Sequence, residues 1–78
     1  MKNIIVLGSG CAKCVKTAEM IEKTAKELSV PVSVVKETSA EAIMSYGVMS
    51  TPAVVIDSNV VHSGSVPHQD QIQHWLEA

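Results

Sequence analysis

Cys11 and Cys14 are the only two thiols in the chain, and they stand three residues apart in Gly8-Ser9-Gly10-Cys11-Ala12-Lys13-Cys14. An apolar run ends there and an amphipathic stretch begins, so the pair falls where a helix opens. A thiol at a helix N-terminus meets unsatisfied backbone N–H groups and the positive end of the helix dipole, and both favour the thiolate. Cys11 is therefore the expected reactive thiolate. Residues three apart on a helix share a face, so Cys14 can close a disulfide back onto Cys11 without large backbone movement. Gly10, Ala12 and Lys13 flank or separate the thiols and are the candidates for tuning them. A Lys13 ammonium close to the sulfurs favours the thiolate, whereas a side chain turned to solvent would be screened and would only add solubility.

Composition limits what such a pair can belong to. Seventy-eight residues make a single domain, 1–78, with a thin core. An apolar content of 46% beside 18% charge suits an ordered globule, and one Trp, one Tyr and no Phe leave the interior to aliphatic side chains. A net charge of −2 without a basic cluster offers nothing to a phosphate backbone, which argues against nucleic acid. The apolar run Ile4-Ile5-Val6-Leu7 is too short for a signal peptide, and no stretch approaches a membrane span, so the expectation is a cytoplasmic monomer with no membrane contact. In a reducing compartment, two cysteines at this spacing point to redox or metal chemistry before a structural staple.

The elements that must position the thiols can be read in order. Ile4-Ile5-Val6-Leu7 reads as a strand buried on both faces and ended by Gly8. Ser9 or Gly10 can cap a helix from about Cys11 to Leu28, on which Cys14, Ala18, Ile21, Ala25 and Leu28 recur at helical spacing. Val30 to Val35 reads as a second strand, held to an edge by Pro31. Thr38 to Glu41 has capping-box spacing for a short helix that Gly47 can end. Ala53 to Ile56 is a third strand after Thr51-Pro52, Asp57-Ser58-Asn59 a turn, and Val60-Val61-His62 the returning fourth strand. Pro67 suits the first turn of a last helix whose apolar face is Ile72, Trp75 and Leu76. The order βαβαββα predicts an α/β fold with a mixed four-stranded sheet flanked by three helices.

Other groups carry less chemistry. His62, His68 and His74 lack the paired spacing of metal ligands and suit surface or capping roles, so no metal site is assigned to them. Gly8-Ser9-Gly10 lacks the remainder of a phosphate loop and reads as clearance for backbone beside the thiols. Tyr46, Met49 and Val66 could border the cysteines as an apolar rim, although loop packing accounts for each.

Gly10-Cys11-Ala12-Lys13-Cys14, Tyr46-Gly47-Val48, Ser50-Thr51-Pro52-Ala53 and Ser63-Gly64, taken in this order, resemble the thioredoxin superfamily. The chain looks like a minimal thioredoxin-like or glutaredoxin-like protein of the small redox-active disulfide kind. The resemblance implies a thioredoxin fold, Cys11 as attacking thiol and Cys14 as resolving thiol. It also implies that Pro52 is a cis-proline beside the disulfide and that the Thr51 backbone pairs with substrate. The chain departs from the thioredoxin pattern in three respects. Its first strand carries no buried Asp, Ser9-Gly10 stands where an aromatic residue usually precedes the first cysteine, and the dipeptide between the cysteines is Ala12-Lys13.

The expected function is thiol–disulfide exchange without a bound cofactor. Its partners would be a disulfide-containing protein or small molecule and an unidentified reductase as electron donor. The rival class is a soft-metal or metalloid carrier, because two thiolates also suit copper(I) or zinc. A ferredoxin-like metal chaperone would end on a strand, whereas this chain ends on a helical pattern.

Overall fold

The computed structural model describes residues 2–8 and 12–77. Its elements run β1 (Lys2–Leu7), α1 (Ala12–Glu27), β2 (Val32–Glu37), α2 (Ala40–Ser45), β3 (Ala53–Ile56), β4 (Asn59–Ser63) and α3 (Gln69–Glu77). Among the described residues the strands form one mixed sheet in the order β2-β1-β3-β4. β1 and β2 are parallel, whereas β1–β3 and β3–β4 are antiparallel.

β1 is central because its sequence is apolar on both faces. Ile4 and Val6 pack with Val54 against Ala18, Ile21 and Ala25 of α1 and Ile72 and Leu76 of α3. Leu7 turns the other way with Ala53 and Val55, against Ile5, Ile43, Tyr46 and Val48. Alternation along a strand sends successive side chains to opposite faces, and helices cover both.

Boundaries differ from the sequence reading at several ends, and four of the shifts have a clear local reason. β2 begins at Val32, not Val30. Ser29 takes a left-handed φ of 57°, and the Ser29 and Val30 N–H groups donate to the Lys26 and Ala25 carbonyls at 3.2 and 2.9 Å. That Schellman arrangement commits Val30 to closing α1 and leaves Pro31 ahead of the strand. β2 does lie at a sheet edge. The cap of α2 is Ser39, not Thr38: the Ser39 hydroxyl accepts from the Ala42 N–H at 3.4 Å. Asn59 belongs to β4, because Asp57 and Ser58, with φ of 47° and 72°, complete a two-residue turn.

α3 starts after Pro67. The His68 carbonyl accepts from the Gln71 and Ile72 N–H groups at 3.1 and 3.2 Å, and the Gln71 side chain accepts from the His68 N–H at 2.9 Å. That reciprocal cap makes His68 the helix boundary, with Pro67 buried just ahead of it.

Candidate functional site

The C-terminal end of β1, the first turn of α1 and the entry to β3 converge at one edge of the molecule. Helical spacing places Cys14 on the same face of α1 as Ala18 and Ile21, which dock on the sheet, and the thiol is only 3% exposed. Ala12 and Lys13, which complete the first turn, are exposed. Cys11, Gly10 and the expected capping residue Ser9 lie outside the described residues.

Gly8 continues β1 past Leu7, and its N–H donates to the Glu37 carbonyl of the neighbouring strand at 3.0 Å. A Cβ on Gly8 would overlap Cys14 Sγ and would stand 3.1 Å from Cys14 Cβ and 3.8 Å from Thr51 Cβ. Cys14 and Thr51, far apart in sequence, thus meet around the bare face of Gly8. The Thr51–Pro52 peptide is cis. Pro52 is buried, and its carbonyl accepts from the Gly64 N–H at 3.0 Å. Gly64 reaches that position with a φ of 90°, a conformation natural to glycine. The segment after β4 therefore ties the proline to the end of the β3–β4 hairpin.

The expected site residues separate accordingly. Cys14, Thr51 and Pro52 are brought to one edge, with Ala12 and Lys13 at its rim. Tyr46 and Val48 serve packing, under the face of the sheet that carries Leu7. Met49 is 99% exposed two residues before Thr51. His62 shares a 3.1 Å hydrogen bond with the Ser65 hydroxyl and lies 6.0 Å from the Trp75 ring, while His68 caps α3. Among the described residues no group of three or more His, Cys, Asp or Glu side chains could hold a metal ion. No helix among them is long and apolar enough to cross a membrane.

Two supporting residues escaped the sequence reading. Thr17 is fully buried one turn beyond Cys14, and its hydroxyl donates to the Lys13 carbonyl at 2.8 Å. Thr24 is buried further along the same stripe. Their spacing from Cys14 and Ile21 carried the signal, but a stripe defined by apolar residues passes over threonine. The Gly64 contact to Pro52 had no local signal, because it depends on how the β3–β4 hairpin returns.

Known proteins share this chain's sequence pattern and fold. A family model described as "Thioredoxin domain" matches residues 2–77. A protein named thioredoxin from Methanocaldococcus jannaschii is 33% identical over 75 residues, covering 96% of this chain and 86% of that protein. The solution structure of the oxidised thioredoxin from Plasmodium falciparum superposes with a TM-score of 0.66 at 15% identity, over 97% of this chain and 78% of the other. The last of these speaks to the fold, which is the thioredoxin fold. With a buried cysteine opening α1 and a family match that runs almost from end to end, the chain belongs to the thioredoxin domain family, whose general chemistry is thiol–disulfide oxidoreduction.

Proposed function

We propose that the protein reduces disulfides of proteins or small molecules by cycling Cys11 and Cys14 between dithiol and disulfide, in a reducing compartment such as the cytoplasm. The observation that carries this reading is the burial of Cys14 at the start of α1, against Gly8 and beside Thr51. A buried second thiol is shielded from bulk oxidants and suited to an intramolecular attack. Cys11 precedes Ala12, the first residue of α1, so the helix terminus favours its thiolate.

In the forward direction the Cys11 thiolate attacks one sulfur of the substrate disulfide. A Cys11–substrate disulfide forms and the other substrate sulfur leaves as a thiolate that takes a proton from solvent. Cys14, losing its proton to water, then attacks the Cys11 sulfur. The Cys11–Cys14 bond forms, and the second substrate sulfur leaves with the electron pair. Two electrons have passed from the dithiol to the substrate, and a reductase must return two. Thr51, just ahead of β3, would present its backbone to the substrate chain, and exposed Met49, two residues before it, would supply apolar contact. Lys13 is exposed in the first turn of α1, so its charge is screened by solvent and adds solubility at this edge.

Trapping tests this assignment. Cys14→Ser should accumulate a stable mixed disulfide through Cys11 when mixed with an excess of a disulfide substrate such as insulin, read by intact mass. Cys11→Ser should form none at the same rate. A Cys14→Ser protein whose remaining thiol reacts no faster than a model peptide at neutral pH would refute the catalytic reading. Tight, stoichiometric copper(I) binding by a wild-type protein that does not reduce insulin would favour a metal carrier instead.

A further inference from the structure

We propose that Gly8 is a positioning residue for the resolving step, reserving the volume in which the Cys14 sulfur sits. The inference deepens the dithiol reading and rests on it. Gly8 is buried, and its backbone is tied to β2 by the bond from its N–H to the Glu37 carbonyl at 3.0 Å. A side chain at this position would overlap Cys14 Sγ and press on Cys14 Cβ at 3.1 Å. The other described glycines differ in kind. Gly47 and Gly64 have φ of 71° and 90°, so a side chain there is strained by the backbone itself, whereas Gly8 has no positive φ. What excludes a side chain at position 8 is the thiol.

Neither party to that contact can withdraw easily. The hydrogen bond to β2 holds the Gly8 backbone, and Cys14 sits on a helix whose next buried residues, Thr17, Ala18 and Ile21, are packed on the sheet. Even one methyl group at position 8 must therefore rotate the Cys14 sulfur out of its place or lift the first turn of α1. Resolution is the step that depends on where this sulfur stands: Cys14 must approach the Cys11 sulfur opposite the departing substrate sulfur. The first attack, made by Cys11, forms no bond to the Cys14 sulfur. A glycine here thus governs the second bond-forming step more than the first.

Ellman's reagent, 5,5′-dithiobis(2-nitrobenzoic acid), resolves the two steps in stopped flow on the reduced protein. The first equivalent of thionitrobenzoate reports attack by Cys11, and the second, concentration-independent release reports resolution by Cys14. Gly8→Ala should leave the first rate within about twofold and slow the second by about tenfold or more, since ångström-scale misplacement of a reacting group costs rates of that order or greater. Equal first and second rates in Gly8→Ala and wild type would overturn the proposal while leaving dithiol cycling intact. A wild-type protein that releases only one equivalent per chain would instead defeat the dithiol reading itself.

A melting-temperature cycle with Cys14→Ala covers the case in which Gly8→Ala folds poorly. The Gly8→Ala loss should shrink markedly in the Cys14→Ala background, where the obstructing sulfur is absent. An equal loss in both backgrounds, or failure of both to fold, would show that Gly8 is required for some reason other than the thiol and would overturn the proposal.

Discussion

Thr17 shows how a single buried hydroxyl can hold the turn that carries Cys14. It is fully buried, and its hydroxyl donates to the carbonyl of Lys13, the residue just before Cys14, at 2.8 Å. Back-bonding of this kind satisfies the hydroxyl inside the helix at the expense of some regularity in the turn. Thr17→Val keeps the shape and removes the donor, and the Lys13 carbonyl retains its place in the α1 ladder. The expected cost in urea unfolding is about 1 kcal/mol, the usual net worth of one hydrogen bond. Thr17→Ala should cost about 1–2 kcal/mol more, because compared with valine it lacks two buried methyl groups. Equal losses for the two variants would mean that volume at this position is immaterial. At this scale the sequence was informative about chemistry and silent about contact. Two cysteines three apart announce a disulfide-capable pair, and Gly8 reads as clearance; that the clearance belongs to the Cys14 sulfur needs the placement of α1 against the end of β1, which no residue pattern displays.

Elements meet through a few polar contacts as well as through apolar faces, and the junction of α1 with α3 is the clearest case. Ile72 and Leu76 dock on the α1 stripe, and beside them the Gln69 side-chain amide donates to the buried Thr24 hydroxyl at 2.8 Å. Gln69→Ala would leave that hydroxyl without this partner, with an expected loss of about 1–3 kcal/mol. Combining Gln69→Ala with Thr24→Val, which removes the polar group altogether, should recover part of that loss. Strict additivity of the two variants in denaturant titrations would show that the pair is not coupled. The placement of α3, α1 and β1 was legible because their apolar residues recur at the helical or strand period over a full element. β2 was legible as an edge strand but not in its start: Val30 is β-branched and would suit a strand, yet the chain uses its N–H to close α1. Capping at Ser29 prevailed over strand propensity at Val30, which is a tertiary choice between two local preferences. The same competition moved the start of α3 past Pro67, where the Gln71 side chain, not the proline, defines the boundary.

Taken as a whole, the molecule is thick on one side of the sheet and thin on the other. The α1 and α3 side buries Ile4, Val6, Ala18, Ile21, Ala25, Val54, Ile72 and Leu76. The opposite side buries Leu7, Ala53 and Val55, and α2, which covers it, contains no fully buried residue. Few buried contacts and an exposed Met44 mark α2 as a unit that can open without unfolding the sheet. Native-state hydrogen exchange should therefore find the Ile43 and Gly47 amides, which bond to the Ser39 and Met44 carbonyls, exchanging through a local opening with little denaturant dependence. The amides of β1 and β3 should exchange only with global unfolding. Ile72→Ala, a truncation in the thick core expected to cost about 2–5 kcal/mol, should lower the protection of β1 and β3 by its full cost and leave α2 amides unchanged until the two opening energies meet. If α2 amides followed the global process in both proteins, the two sides would be one cooperative unit. The asymmetry bears on the proposed chemistry because α2 leads into the segment that carries Met49 and Thr51. A cover that opens locally would let this segment adapt to disulfides of different shape under the proposed function, while the Gly64 bond to Pro52 and the α1 packing under Cys14 hold this edge in place.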